Sequence, residues 1–151
     1  MLAVVRIKGR VNTEKEMDDA MCMLRLDAPN RCAVLPDDPS FNGMVTKVKD
    51  YVTFGEINFE TFLELLKKRG RLEDGKKIDE NTVKPTGFDS VEKLAKAIFE
   101  GKARINRIPE LKPVFKLTPP EHGFKSTKLQ YPAGDLGNRG EAINELIKRM
   151  I

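Results

Sequence analysis

The chain has 151 residues, 40% of them hydrophobic and 33% charged, with a formal net charge of +4. This composition supports a globular protein with a core of its own and excludes a mostly disordered chain. No apolar run approaches the roughly 20 residues of a membrane-spanning helix, and the start MLAVVRIKGR lacks the apolar centre of a signal peptide, so a cytoplasmic protein with no membrane partner is expected.

In chain order, residues 2–8 (LAVVRIK) are apolar and β-branched up to Gly9 and read as a buried first strand. Thr13-Glu14-Lys15-Glu16 fits a capping box, and Met17, Ala20, Met21 and Leu24 follow at helical spacing, predicting a helix over 14–26. Residues 31–36 (RCAVLP) form the second strand, stopped by the Pro36-Asp37-Asp38-Pro39 turn. Ser40 is then placed to cap a short helix with Phe41, Met44, Val45 and Val48 on one face, and Tyr51–Phe54 form a third strand ending at Gly55.

Asn58 caps a third helix with Phe59, Phe62, Leu63 and Leu66 on its apolar face, closed at Gly70. A polar connection fills 71–88, and a fourth helix spans 89–100 with Val91, Leu94, Ala95 and Ile98 on one face. Residues 114–117 (VFKL) suit a short strand, and 118–137 a long ordered loop or arm. Asn138 with Glu141 fits the cap of a last helix carrying Ile143, Leu146, Ile147 and Met150.

Chemistry-bearing residues are few. Cys22 and Cys32 are too few for a disulfide framework or a four-ligand zinc site and read as buried thiols or fillers. A lone histidine, His122, leaves acid-base and metal schemes without a second imidazole. Gly70–Lys77 imitates a phosphate-binding loop but follows a helix, carries Glu73 and Asp74, and has Lys77 where a hydroxyl should hold magnesium, so it reads as a surface loop. Asp37 and Asp38 read as turn residues between prolines. Gly9-Arg10-Val11-Asn12 leaves room for a weak acylphosphatase-like alternative, although one glycine makes a poor phosphate cradle. No catalytic residue, metal, cofactor or small-molecule substrate is expected.

Charge is the informative property. Residues 1–50 balance at eight basic and eight acidic side chains, whereas 101–151 hold ten basic against five acidic. Lys102, Arg104, Arg107, Lys112, Lys116, Lys125 and Lys128 lie there among prolines, glycines and the aromatics Phe115, Phe124 and Tyr131. Clustered cations for phosphates, glycines for close approach and aromatics for stacking make 123–131 a candidate RNA contact. A lid, or a solvated basic loop with no partner, would leave the same composition, and Phe124 could equally belong to the core. Arg139, at the start of the last helix, fits either a phosphate contact or a plain cap.

Two stretches carry a resemblance. MLAVVRIKGRVN through PSFNGMVTKVKDYVTFGEI, with its Gly43-Met44-Val45 and Lys47-Val48 pattern, resembles the ribosomal protein L-thirty family of the large subunit. The tail, from Leu117-Thr118-Pro119-Pro120 through Gly123-Phe124-Lys125 to Gly134-Asp135-Leu136-Gly137-Asn138-Arg139, is similar to the archaeal and eukaryotic branch, and the start at the first strand makes the archaeal form the nearer likeness.

The resemblance implies an α+β fold. Its ferredoxin-like β-α-β-α-β core over 1–57 would carry a three-stranded antiparallel sheet, and 58–151 would form a helical extension, with a basic loop at 102–139 and a C-terminal helix, packed on the core as one unit. It implies a structural, non-enzymatic role in the large ribosomal subunit, with large-subunit rRNA and neighbouring ribosomal proteins as partners; an RNA-binding adaptor of another ribonucleoprotein is the alternative. RNA-facing positions carried over from the family fall on Arg6, Lys8, Arg10, Lys47, Lys49, Lys125, Lys128 and Arg139. The segment Ser126–Gln130 is poorer in Lys, Arg and Gly than family arms, which implies holding RNA more by fit than by charge.

Overall fold

A computed structural model describes residues 1–79, 82–84, 87–108 and 110–151, with only the backbone described at 106. Ten elements follow one another: β1 (Leu2–Arg6), α1 (Lys15–Met23), β2 (Arg31–Leu35), α2 (Pro39–Lys47), β3 (Val52–Glu56), α3 (Phe59–Arg69), α4 (Val91–Phe99), β4 (Val114–Lys116), β5 (Gly137–Asn138) and α5 (Ile143–Met150). Short 3-10 turns at Ile105–Arg107 and Gly140–Ala142 precede β4 and α5.

The β-α-β-α-β core is present, but its sheet is wider than the three antiparallel strands expected. β4 and β5 extend it to five strands in the order β4-β2-β1-β3-β5. β1 pairs antiparallel with β2 (Leu2 opposite Leu35, Val5 opposite Cys32) and with β3 (Leu2 opposite Glu56, Arg6 opposite Val52). β4 adds antiparallel to β2, with Arg31 opposite Lys116, and β5 adds parallel to β3, with Thr53 opposite Gly137. A two-residue parallel strand carries no periodic signal, which is why β5 escapes a reading based on alternation.

Successive side chains of a strand point to opposite faces, and both faces are covered here. Ala3, Val5, Cys32, Val34 and Phe115 join a core with α3, α4 and α5, through Phe62, Leu65, Leu66, Leu94, Ile98, Ile143, Leu146 and Ile147. Val4, Ala33, Leu35 and Val52 join a second core with α1 and α2, through Met21, Leu24, Val45 and Val48. A central strand buried on both sides needs the unbroken apolar run that β1 has. Cys32 is fully buried, which pushes its thiol up to about 12, whereas Cys22 is exposed on α1 as a filler.

Helix starts depart from the sequence reading in three places. Thr13 caps nothing: its hydroxyl donates to the Gly9 carbonyl, and Glu14 precedes a helix that ends at Met23, with Leu24 and Leu26 buried beyond it. α2 begins at Pro39 after Asp38, not at Ser40, because proline's fixed φ and missing N–H suit the first helical position. Asn138 belongs to β5; its side chain accepts from the Gly140 amide, and a 3-10 turn leads into α5. The Asn58 cap forms as expected, its carbonyl oxygen accepting from the Thr61 amide at 2.9 Å.

The 71–88 connection is held by Leu72, Ile78 and Val83, all buried, and by an antiparallel bridge between Arg71 and Lys77. Gly55 has a different task. A Cβ there would stand 2.0 Å from the Gly140 carbonyl oxygen, so only glycine lets β3 meet the turn that introduces α5.

Candidate nucleic-acid interface

The strand register decides where each cation goes. With β1 antiparallel to β2 and β3, Arg6, Arg31, Val52 and Lys116 share one end of the sheet, and Leu2, Leu35 and Glu56 the other. The segments leaving β1 and entering β3 bring Lys8, Arg10 and Lys49 to the first end, and α2 finishes there with Lys47. β5 runs parallel to β3 from Gly137, so the loop before it, with Lys125 and Lys128, emerges at this same end. Gln130 fixes it there: its amide donates to the Asp50 carboxylate at 2.8 Å, just before β3.

These cations are not equally free. Lys49, Lys116, Lys125 and Lys128 are exposed, and Lys125 reaches only the Pro132 carbonyl, at 3.2 Å. Lys8 stands over the Tyr51 ring, 5.5 Å from its centre. Arg10 holds Asp18 at 2.5 Å while 60% of its side chain stays exposed, and Lys47 pairs with Glu16 on α1. That hydrogen bond from Lys47 holds the Glu16 carboxyl below its usual range. Arg31, which the sequence reading passed over, opens β2 beside Lys116 and is paired with Asp27 at 2.6 Å; its visible signal was a cation at the start of a strand.

Arg6 is a correction. Its side chain is fully buried, and its guanidinium donates to the carbonyls of Leu26 at 2.6 Å, Lys8 at 2.9 Å and Gly9 at 3.2 Å, with the Asp18 carboxylate 3.6 Å away. Burial pulls its pKa down, opposed by Asp18. Arg6 therefore ties β1 to the turn before β2 and presents nothing to a ligand. Alternation along LAVVR could not reveal this, because a buried arginine looks in sequence like any exposed one.

Arg139 is also turned inward. It forms an ion pair with Asp135, both side chains being almost wholly buried, and its guanidinium covers the Tyr131 ring at 5.1 Å. The other Asp135 oxygen accepts from the backbone amides of Lys125, at 2.5 Å, and Ser126, at 3.3 Å. Burial alone would raise the Asp135 pKa, but the bonds from Arg139 and from the two amides outweigh it and hold the carboxyl below its usual range. One carboxylate thus gathers both ends of the 125–139 loop. Phe124 is half-buried against the α3–α5 core and is not free to stack, while Tyr131 is 43% exposed.

The remaining sequence-predicted cations lie elsewhere. Lys102 pairs with Glu100 at 2.6 Å, and Arg104 stands 4.0 Å from Asp38, beyond β2 at the opposite end of the sheet. Arg107, in the 3-10 turn after α4, and Lys112 are both exposed, and the Lys112 amide donates to the Arg71 carbonyl. The continuous basic stretch of the sequence is therefore divided by the fold. Among the described residues no group of three or more His, Cys, Asp or Glu side chains comes together as a metal site.

What remains at the first end is a shelf of exposed cations on a rigid sheet, flanked by an internally braced loop. Such a shelf can neutralise phosphates and match a fixed backbone shape.

Comparison with known proteins gives the family. The family model described as Ribosomal protein L30p/L7e matches residues 2–52. The chain is 48% identical over 151 residues to the large ribosomal subunit protein uL30 of Archaeoglobus fulgidus, covering 99% of both chains. It is 43% identical over 152 residues to that of Methanocella arvoryzae, again at 99% of both, and 43% identical over 154 residues to that of Nanoarchaeum equitans, at 100% of this chain and 99% of the relative. With relatives this similar along their whole length, and with the β-α-β-α-β core in place, the chain belongs to the ribosomal protein L30p/L7e family.

Proposed function

We infer that this protein, a structural component of the large ribosomal subunit and not an enzyme, holds large-subunit rRNA with the end of its sheet that carries Lys8, Arg10, Lys49, Lys116, Lys125 and Lys128. The observation that supports this most is the convergence of cations from four separated segments on one end of one sheet. Lys47, Arg31 and exposed Tyr131 flank the set, and Arg6 and Arg139 support it from inside.

Recognition is by shape and phosphate position. Lysines anchored on a sheet end and on a loop braced by Asp135 hold fixed positions, and this selects RNA whose backbone already fits. Residues 1–57 and 58–151 dock together in this reading, because β4 and β5 belong to the same sheet as β1 to β3.

The test is release from the particle. Large subunits carrying Lys8→Ala, Lys49→Ala, Lys125→Ala and Lys128→Ala together should lose the protein in a salt wash that leaves the unsubstituted protein bound. Equal retention across the whole salt range would refute the assignment of this end to RNA.

A further inference from the structure

The end of the sheet away from the proposed RNA shelf is built differently. A cavity of about 290 Å³ opens there between the two helical layers, walled by Val34, Leu35, Phe41, Ile98 and Phe99, with Asp37, Glu100 and Arg104 at its mouth. A second hollow of about 230 Å³ adjoins it, sharing Met1 and Asp37 and reaching Phe54 and Glu56. A third, shallower one shares Glu56 and continues past Glu141 and Glu145. The three form a trough across the sheet end, apolar at one side and increasingly acidic toward the other.

Asp37, Glu56, Glu141 and Glu145 form no ion pair among the described residues, although Asp37 accepts a hydrogen bond from Asn42 at 2.7 Å. Carboxylates outnumber cationic side chains along the trough: Asp37, Glu56, Glu100, Glu141 and Glu145 line it against Arg104, 4.0 Å from Asp38, and Lys148, and Glu100 is held by Lys102. Lys148 borders the far hollow. Uncompensated carboxylates repel phosphates, so RNA does not suit this end. The cavity beside Phe41, Ile98 and Phe99 lies at the low edge of the roughly 300–1,000 Å³ typical of small-molecule sites and suits one or two apolar side chains.

We propose that this trough is a docking site for an extended, basic segment of another large-subunit protein, which seats an apolar side chain between Phe41, Ile98 and Phe99 and lays flanking Lys or Arg residues along Asp37, Glu56 and Glu141. The occupant is fixed by complementarity. An apolar anchor needs the cavity, and only a cationic chain gains from the row of free carboxylates. The proposal rests on the reading of the opposite end as the RNA face, since a protein wedged between rRNA and a neighbour presents opposite charge to each.

Site-specific photo-crosslinking in assembled large subunits tests it. The photoreactive residue p-benzoyl-phenylalanine replaces Phe41 in one protein and exposed Arg104 in a second, so that a folding defect at Phe41 leaves the Arg104 probe to decide. A third carries it at Lys128. The expected result is a cross-link from Phe41 or Arg104 to a peptide of another ribosomal protein with Lys or Arg beside an apolar residue, reduced at least fivefold when Asp37→Lys and Glu56→Lys are added. Cross-links from those two positions to rRNA, to a segment without basic residues or to nothing, or a yield that ignores the added lysines, would overturn the proposal. A Lys128 cross-link to rRNA in the same particles shows that the RNA reading survives such a failure, and its absence shows that reading has failed as well.

Discussion

The two ends of the sheet differ in which sign of charge is paired inside the fold. At the proposed RNA-facing end carboxylates pair with cations inside the protein, Asp18 with Arg6 and Arg10, Asp27 with Arg31, Glu16 with Lys47 and Asp135 with Arg139, and among the described residues Lys49, Lys116, Lys125 and Lys128 are left without a carboxylate partner. At the far end Arg104 and Lys102 face Asp38 and Glu100, while among the described residues Asp37, Glu56, Glu141 and Glu145 form no ion pair. A net charge of +4 conceals this polarity. What a surface offers a partner depends less on how many charges it holds than on which sign is already satisfied within the fold.

The most severe way to break the comparison is to detach β3 from the α5 segment. Gly55→Ala puts a methyl group 2.0 Å from the Gly140 carbonyl, and backbone cannot yield as a side-chain tip does. We expect a loss of more than about 3 kcal/mol, or no folded protein, in urea denaturation. Arg6→Met comes next. It leaves the Leu26 carbonyl buried without its donor and Asp18 without one of its two cations, and should cost about 2–4 kcal/mol by the same measurement while changing RNA affinity only through the folded fraction.

Asp135→Asn sharpens the comparison at the proposed RNA-facing end. The amide cannot satisfy Arg139 and two backbone N–H groups together, so hydrogen exchange in 123–136 should accelerate by about tenfold or more, with RNA affinity falling while the rest of the protein stays protected. The same carboxylate sets a pH dependence. Its pKa is depressed in the fold, so its contribution is complete above the unfolded value near about 4 and is lost as pH falls through the folded value. The loop should loosen in acid, and in Asp135→Asn it should no longer respond. The smallest effect is Glu16→Gln, which frees Lys47; the urea midpoint should stay where it is, because the pair is solvent-exposed, and RNA affinity should rise slightly in filter binding at low salt.

Much of the fold was legible because its signals are local. Periodicity placed all five helices and the first four strands to within a few residues, and Asn58 announced its helix by chemistry alone. β5 was not legible, since two residues pairing in parallel with β3 have no pattern, and neither was the Gly55–Gly140 approach, which joins residues far apart in the chain. The candidate interface was legible by half. Lys8, Arg10, Lys49, Lys125 and Lys128, which the resemblance singles out, meet at one end of the sheet, whereas the basic run of the sequence does not stay together. Lys102 and Arg104 are neighbours of Lys112 and Lys116 in sequence, yet α4 delivers them to the opposite end of the sheet. Arg6 and Arg139 failed for a different reason: burial with a satisfied partner is a tertiary property, and no spacing rule encodes it.

The most direct test of the two-ended account is the salt dependence of rRNA binding, measured on two variants with the same large-subunit RNA fragment. Lys49→Ala with Lys125→Ala and Lys128→Ala should weaken binding and flatten the slope of log affinity against log salt by about 0.7–0.9 for each phosphate no longer neutralised, whereas Lys102→Ala with Arg104→Ala should leave both slope and affinity unchanged. Equal weakening by the two variants, or a slope that only the second one alters, would contradict the account.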